Sequence, residues 1–455
     1  MALPNYFLAD LPPDAALSPA MITEACQTLK RNRAQYLASR PTDSLVRLLG
    51  AVGESWLKPD NAFRRLALEG SGPAEAGFSR GTLQKGLDHF FRQLTPDNFR
   101  ALLEQDLGHA GCLDQFVALP GEKNSGRAVL AVGPAFLAHI TAGNLPVPAL
   151  MSLVLGVLTR SAQFVKCARG AAFLPRLFAH SLYEADPKLG ACLEVAVWPG
   201  GDASLETALF AEADCVTATG GDEALAAIRS QLPFQTRFIG YGHRVSFGYV
   251  AGEVLSRFYS GRVVSWTADD VVAWNQLGCL SPHVIYVQTG GEVPPEKFAE
   301  LLADELDRRE QMEPRGELPA EHAAAIASRR GIYEVRAAHA PGETRHWCSK
   351  NSTAWTVVYE ADARFQLSCL NRFIYVKPVP DLAEALQQAG AIPGRISTVG
   401  LAVPEHQMAE RAAQLAVAGV PRVCPLGRMQ NPPLTWRHDG RPALGDLVTW
   451  TDLEM

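Results

Sequence analysis

Leu193–Glu194–Val195–Ala196–Val197–Trp198 runs into Pro199–Gly200–Gly201. A helical span Ser204–Glu212 follows, and Asp214–Cys215–Val216–Thr217–Ala218 then ends in Thr219–Gly220–Gly221. Two largely apolar strands thus flank one helix, and each strand stops at glycine. The pattern extends in both directions. Downstream, Asp222–Gln231 reads as a helix and Thr236–Ile239 as a strand. Upstream, Gln163–Cys167 is a strand, Pro146–Thr159 a compact apolar helix with its prolines in the first turn, and Ala128–Val132 a strand stopped by Gly133–Pro134. Apolar strands alternating with helices predict a parallel sheet covered on both faces. Ligands of such sheets sit at the carboxyl ends of the strands.

A second alternating region begins after Ser260, with strands at Val284–Val287, Ala354–Tyr359 and Phe373–Val376 and an amphipathic helix at Pro295–Arg309. The charge run Glu296–Glu317 reads as a solvated helix face. The first hundred residues are helical and polar: Pro19–Arg40 and Gly81–Gln105 carry apolar residues at helical spacing, with turn-rich stretches at 58–61 and 69–77. The predicted division is a helical region over 1–105, a cofactor-binding α/β domain over 106–258, a thiol-bearing α/β domain over 259–420, and a C-terminal segment, 421–455, that returns to the core or an oligomer interface.

Composition removes several classes of function. The chain has 455 residues, 47% of them hydrophobic and 20% charged, enough apolar material for a large core. Its 42 basic and 48 acidic residues leave a net charge of −6, which gives no reason to expect nucleic acid as a partner. Nine cysteines, an odd number with no CxxC spacing, disfavour a disulfide scaffold and a zinc ribbon, and no HxxxH or HExxH occurs, so no metal is expected. No basic residue precedes an apolar run in Met1–Pro12, so no secretory signal is expected. The apolar stretch Ala128–Leu158 is broken by Gly133–Pro134, His139, Gly143–Asn144, Pro146 and Pro148, which no spanning helix carries together. A cytoplasmic protein with reduced thiols and no membrane span is the expectation.

Trp274–Asn275–Gln276–Leu277–Gly278–Cys279–Leu280–Ser281–Pro282 is the strongest local candidate for chemistry. A thiol behind a glycine, just before a strand, is the placement a nucleophile needs. Spacing alone does not overturn the ordinary reading of Cys279 as a small buried hydrophobe.

Thr141–Ala142–Gly143–Asn144, Phe164–Val165–Lys166, Thr217–Ala218–Thr219–Gly220–Gly221 and Gln276–Leu277–Gly278–Cys279 fall in the order and spacing of the aldehyde dehydrogenase superfamily, which the chain resembles over about residues 100–455. Within it, Gly278–Cys279–Leu280–Ser281–Pro282, the block Arg422–Val423–Cys424–Pro425–Leu426–Gly427–Arg428–Met429–Gln430 and Trp436–Arg437–His438–Asp439–Gly440–Arg441 resemble the LuxC-type acyl-CoA reductases, the reductase component of bacterial bioluminescence fatty-acid reductase complexes and their relatives.

The resemblance implies an aldehyde dehydrogenase-like α/β fold and roles for particular residues. Cys279 is the implied nucleophile, and Asn144 the oxyanion donor, helped by the Cys279 backbone N–H. Thr141, Lys166, Arg169, Thr219, Gly220 and Gly221 are the implied cofactor-binding set: Lys166 for the adenosine ribose, and Thr219–Gly220–Gly221 opening a helix toward the pyrophosphate with free N–H groups. No GxGxxG occurs, because Val245 stands where the third glycine after Gly240 and Gly242 is required, which fits this superfamily better than other dinucleotide enzymes.

Three departures refine the expectation. Arg169 stands where many NAD-using members place a ribose-gripping glutamate, and a guanidinium there pairs with a 2′-phosphate, so NADPH is expected over NADH. The segment that carries the superfamily's general-base glutamate corresponds to Phe238–Ile239–Gly240–Tyr241–Gly242–His243–Arg244, without a glutamate. That loss suits reduction of a thioester, where activated water wastes the acyl-enzyme. His243 is a candidate surrogate base, or an ordinary structural histidine. The glutamate for the nicotinamide ribose is replaced around Ser368–Cys369–Leu370.

The expected activity is NADPH-dependent reduction of an acyl thioester, on coenzyme A or on a protein, to the aldehyde through an acyl-cysteine. The expected assembly is a homo-oligomer, with an acyl-transferring synthetase as a possible partner. Arg422, Arg428, Arg437 and Arg441 are either contacts for coenzyme A phosphates or ordinary surface arginines. Two rival readings stay open: NAD(P)-dependent aldehyde oxidation, and a non-catalytic scaffold subunit of the same fold.

Overall fold

Five short apolar segments between residues 136 and 241 lie side by side as one parallel sheet in a computed structural model that describes residues 3–12, 15–122, 126–390 and 395–454. The chain divides into two units, one of residues 1–76, 87–242 and 433–455, the other of residues 77–86 and 243–432. The boundary near residue 242 falls before the expected 258. Residues 1–76 belong to the first unit, and the C-terminal segment is shared between the two.

In the first unit, β1 (Arg127–Val132) is followed by β2 (Phe136–Ile140), β3 (Ala162–Cys167), β4 (Leu193–Val197), β5 (Cys215–Thr219) and β6 (Arg237–Tyr241). The sheet order is β4-β3-β2-β5-β6, all parallel, with Ile140 opposite Lys166 and Ala218 opposite Gly240. After β2 the chain builds outward through β3 and β4, then crosses to the other side for β5. The carboxyl ends of β2 and β5 therefore flank a topological switch point, where such sheets open a crevice. Phe136, Ala138, Phe164, Trp198 and Val216 share a core with Ile22, Cys26 and Leu29 of the helix Pro19–Tyr36 and with Leu205, Leu209 and Phe210 of the helix Ala203–Glu212. Ser18 caps the first of these helices by accepting the Met21 N–H, and Pro19 occupies its first turn.

Two sequence expectations change here. The strand predicted at Ala128–Val132 forms but lies outside the parallel sheet. It pairs antiparallel with the terminal strand Thr449–Glu454, Arg127 opposite Glu454 and Val132 opposite Thr449. The strand that leads the sheet is β2, disguised by His139 in its middle. The buried His139 ring reaches Thr217 Oγ1 on β5 at 2.6 Å and Gln163 Oε1 on β3 at 3.0 Å, so both neighbouring strands satisfy it.

In the second unit, β7 (Val245–Val250), β8 (Pro282–Gln288), β9 (Thr344–Cys348), β10 (Thr356–Glu360), β11 (Phe373–Val379), β12 (Ile396–Ala402) and β13 (Arg422–Pro425) form a sheet in the order β13-β12-β7-β8-β11-β10-β9. Every pairing is parallel except β9 with β10. One face packs on the helices Ser260–Val272 and Pro295–Met312, the other on Ala320–His339, Leu382–Ala389 and Met408–Val417. The charged helix Pro295–Met312 buries Phe298, Leu302 and Leu306, so only part of its surface is solvated.

β8 begins irregularly. Ser246 faces Pro282 and Phe247 faces Val284, so His283 is an extra residue in the ladder. Such bulges re-aim a side chain and recur beside functional sites. Among the described residues no helix is long and apolar enough to cross a membrane, and no group of three or more His, Cys, Asp or Glu side chains is placed to hold a metal ion.

Candidate active-site residues

The carboxyl end of β2 leads directly into Thr141, whose N–H donates to the Lys166 carbonyl at 3.1 Å. Gly143 and Asn144 follow in an exposed loop before the helix Val147–Leu158. Lys166 lies near the end of β3 with its side chain buried. Its Nζ stands 5.8 Å from the Trp198 ring centroid and 4.0 Å from where a Cβ on Gly200 would project. Burial holds this ammonium below the usual lysine range, and the Glu206 carboxylate opposes the shift. Nζ has no hydrogen-bond acceptor among the described residues, and Glu206 Oε1 is engaged by the Gly201 N–H at 3.0 Å. The ammonium offers three donors, for which a hydroxylated ligand is a suitable acceptor. Arg169 is exposed in the turn after β3.

Thr219 ends β5, and Gly221 precedes the helix Asp222–Gln231 with no side chain capping its first turn. The expectation of free glycine N–H groups needs correction, since the Gly220 N–H donates to the Tyr241 carbonyl at 3.2 Å. Neither glycine has a positive φ. A Cβ on Gly221 would meet nothing within 4 Å, and one on Gly220 would meet only Ala224 Cβ at 3.8 Å. The chain's own packing therefore gives no reason for two glycines here, whereas a ligand lying on the backbone does. Asp222 and Glu223 already complement the helix dipole, which leaves it less attraction for a diphosphate than the glycines alone suggest. The lysine and the open glycine turn fit a dinucleotide at the switch point.

In the second unit, Gly278–Ser281 is a tight turn closed by the Ser281 N–H to the Gly278 carbonyl at 2.9 Å. Cys279 sits in it, partly exposed, and its carbonyl accepts the Ser246 hydroxyl at 2.7 Å. Cys26, Cys112, Cys167, Cys192 and Cys215 are all buried, and burial pushes the thiols of Cys26, Cys167 and Cys192 up to about 12. Those five are packing residues. Cys348, Cys369 and Cys424 are partly exposed as well, but no tight turn of this kind presents them.

The segment before the turn is strained. Trp274, Asn275 and Gln276 have φ of 51°, 52° and 63°, three consecutive left-handed residues without a glycine among them. Such a conformation costs about 1–2 kcal/mol per residue and persists only where its surroundings impose it. Gln276 Nε2 donates to the carbonyls of Pro282 at 2.7 Å and Phe373 at 2.9 Å. Asn275 Nδ2 donates to the Arg315 carbonyl at 3.1 Å. The Trp274 ring meets Phe78 edge-on at 5.1 Å and covers Gly86, where a Cβ would come within 2.0 Å of it. A second left-handed triplet, Leu370–Asn371–Arg372, lies opposite, and Ser368–Cys369 leads into it. Ser368 donates its N–H to His283 Nδ1 at 3.1 Å, its hydroxyl lies 3.1 Å from the same nitrogen, and burial pushes the His283 ring down to about 4, keeping it neutral.

The block after Arg422 closes on the same turn. The Arg422 guanidinium donates to the carbonyls of Met429 at 2.6 Å and Arg428 at 2.9 Å. The buried Asp270 carboxylate takes the N–H groups of Gly427 at 2.5 Å and Met429 at 2.9 Å, and the Gln430 amide reaches the Ser281 hydroxyl.

The sequence matches the profile of the acyl-CoA reductase (LuxC) family over residues 37–450. The chain belongs to that family. It is 25% identical over 320 residues to a long-chain acyl-protein thioester reductase of Aliivibrio fischeri, a match covering 70% of this chain and 63% of the relative, so less than two thirds of that protein's length is spanned. It is 22% identical over 419 residues to the protein of the same name from Photorhabdus laumondii, covering 90% of this chain and 82% of the relative. Among solved structures, an NAD-dependent benzaldehyde dehydrogenase from Corynebacterium glutamicum matches with a TM-score of 0.70 at 14% identity, over 96% of this chain and 91% of that one. A putative aldehyde dehydrogenase PutA from Anabaena variabilis matches with a TM-score of 0.71 at 14% identity, over 96% and 93%. At that identity they establish the aldehyde dehydrogenase fold.

In this LuxC-family chain, the segment without the superfamily glutamate falls at the end of β6. Tyr241 occupies it, stacked on His438 at 4.2 Å and 9° and lying 4.5 Å from the Arg441 guanidinium. Burial pushes the Tyr241 phenol up to about 12, so it is no base near neutral pH. His243 is exposed just beyond. The basic set divides: Arg422 is buried, and Arg441 donates to the Gly240 carbonyl at 2.9 Å, which leaves Arg428 and Arg437 as the exposed members. Sequence reading missed Ser246, His283, Asp270 and Gln430 because each acts through a contact distant in the chain. The bulge at His283 leaves no compositional trace.

Proposed function

We propose that the chain reduces an acyl thioester to the corresponding aldehyde through an acyl group carried on Cys279. The observation that carries this reading is the partly exposed thiol on a tight turn whose flanking residues are fixed on both sides by Gln276, Ser246 and Gln430. Preorganised sulfur of this kind suits covalent transfer, in which the acyl group stays fixed while the first product departs.

The Cys279 thiolate attacks the acyl carbon, and the C–S bond to the donor breaks, releasing the donor thiolate. By family resemblance, the Asn144 amide donates to the carbonyl oxygen as charge develops there. A nicotinamide cofactor held by Lys166 and the Thr219–Gly221 turn would supply a hydride for the acyl carbon. The resulting hemithioacetal on Cys279 collapses, expelling the aldehyde and restoring the thiolate. The superfamily's water-activating carboxylate has no counterpart in Phe238–Arg244, which favours keeping the acyl group until it is reduced.

Lys166 and the Thr141 and Thr219–Gly221 turns are proposed to hold the adenosine end of the cofactor. Arg169 is proposed to pair with a 2′-phosphate, making NADPH the preferred donor. The acyl donor is a coenzyme A ester or an acylated protein. A synthetase partner and a homo-oligomeric, cytoplasmic form are proposed on the family resemblance alone.

The test is an assay of acyl-CoA-dependent NADPH oxidation with direct detection of aldehyde. Aldehyde formation that Cys279→Ala abolishes supports the reading. Undiminished activity in Cys279→Ala, or NAD(P)⁺ reduction by free aldehyde with no acyl-CoA reduction, overturns it.

A further inference from the structure

Gly86 lies inside the helix Arg80–Gln93, where glycine weakens a helix that alanine would strengthen. The reason for it lies across the fold. A Cβ at Gly86 would run into Cζ2, Cε2 and Cη2 of the Trp274 ring. That ring is buried and also meets the buried Phe78 edge-on, with centroids 5.1 Å apart. Residues 77–86 belong to the same unit as the thiol turn, and together Phe78 and Gly86 form a seat for the ring.

Trp274 heads the left-handed run that leads through Leu277 into the Gly278–Ser281 turn. Gln276 Nε2 reaches across that turn to the Pro282 carbonyl at 2.7 Å, which closes the loop that carries Cys279. A second connection starts in the same segment. The Thr82 hydroxyl lies 3.3 Å from Glu313 Oε1, and Lys85 pairs with the same carboxylate. The Glu313 carbonyl takes Arg372 Nη1 at 2.9 Å, and Arg372 Nε donates to Asn275 Oδ1 at 3.2 Å. Residues 77–86 thus reach Trp274 directly and Asn275 through Glu313 and Arg372.

We infer that Gly86 is a positioning residue for the Cys279 turn: its bare backbone seats the Trp274 ring, and the seated ring fixes the left-handed approach that presents the thiol. This deepens the proposed acyl transfer and rests on it for its purpose. Left-handed residues other than glycine persist only where their surroundings hold them, and the seat is part of that hold. Misplacing a reacting group by about 1 Å costs up to about a hundredfold in rate, so one added methyl group at Gly86 is enough to matter at the sulfur.

The test measures acyl transfer from acyl-CoA to the Cys279 peptide of the full chain, in a single turnover without NADPH, by mass spectrometry. Gly86→Ala is expected to slow it by about tenfold or more, while NADPH binding, followed by the cofactor's fluorescence, is unchanged. Trp274→Phe removes the second ring that faces Gly86. Alone it is expected to slow acylation by a smaller factor, and the double variant is expected to be no slower than Trp274→Phe. Iodoacetamide alkylation of the same peptide, which needs no acyl donor, is expected to follow the same order.

Wild-type rates in Gly86→Ala overturn the inference. A double variant slowed by the product of the two single effects also overturns it, because Gly86 then acts through something other than the ring. Loss of NADPH binding in step with acylation makes Gly86 a folding residue and does the same. Wild-type rates in Trp274→Phe overturn it even if Gly86→Ala does not fold. Acyl transfer to Cys279 with rates unmoved in the variants refutes the role of Gly86 alone, whereas the expected order of alkylation in a chain that never gains acyl mass supports that role and refutes the proposed reaction.

Discussion

Arg372 Nε donates to Asn275 Oδ1 at 3.2 Å, joining two left-handed triplets that lie almost a hundred positions apart in sequence. Arg372 is fully buried, and its Nη1 also reaches Glu310 Oε2 at 2.7 Å and the Glu313 carbonyl at 2.9 Å. One side chain thus braces the strained backbone before the thiol turn and the strained backbone that follows Ser368–Cys369.

Replacing Arg372 with methionine leaves the buried Asn275 and the partly exposed Glu310 without this partner. Losing hydrogen bonds to charged groups costs about 1.5–3 kcal/mol. Denaturant unfolding of Arg372→Met is expected to show that loss. Any protein that folds is expected to react more slowly at Cys279, because the left-handed segment relaxes. Unchanged stability contradicts the bracing role.

The cofactor assignments separate two residues. Lys166→Met is expected to raise the apparent KM for NADPH by tenfold or more with a smaller change in kcat, since it removes binding rather than chemistry. Arg169→Glu is expected to move the ratio of kcat/KM for NADPH over NADH toward NADH, because a carboxylate repels the 2′-phosphate that a guanidinium binds. Steady-state kinetics with both cofactors measure both effects, and an unchanged ratio in Arg169→Glu removes the basis for preferring NADPH.

Asn144→Ala is expected to lower kcat by about 10²- to 10³-fold, the usual consequence of losing one oxyanion donor, with little change in the KM for the acyl donor. A variant as active as wild type shows that Asn144 is only a loop residue before Pro146.

The fold is also expected to be sensitive to acid through His139. Burial pushes its ring down to about 4, against about 6.5 in the unfolded chain. Between those values the unfolded state binds the proton and the folded state does not. Stability from this group is therefore complete above about pH 6.5 and falls as pH drops toward 4, by about 3 kcal/mol in total. Glu194, which burial pushes up to about 8, acts with the opposite sign as pH falls through 8 toward its ordinary carboxylate range, so the clean measurement is a comparison of variants. On going from pH 7.5 to pH 5, His139→Gln is expected to lose less in Tm than the wild type. An equal loss in both contradicts the account.

The sequence reveals those elements whose signal is local. Thr219 and Lys166 stand at or near the ends of apolar strands, so the pattern places them at the carboxyl edge without knowledge of the pairing. Where partners are remote, the reading fails. Ala128–Val132 has the look of an inner strand, but its partner is the far terminus. His139 makes β2 look unlike a strand until Thr217 and Gln163 are seen to accommodate it. Trp274–Asn275–Gln276 contains no glycine to announce a left-handed path, because tertiary hydrogen bonds and Trp274 packing impose it. Arg422 reads as a surface cation until the loop it closes is seen.

The most direct test of the account is the mass of the Cys279 peptide after incubation with acyl-CoA in the absence of NADPH. A mass increase equal to the acyl group on that peptide, lost on adding NADPH as aldehyde forms and missing in Cys279→Ala, is the predicted result. A chain that turns over acyl-CoA while that peptide never gains acyl mass contradicts the central claim.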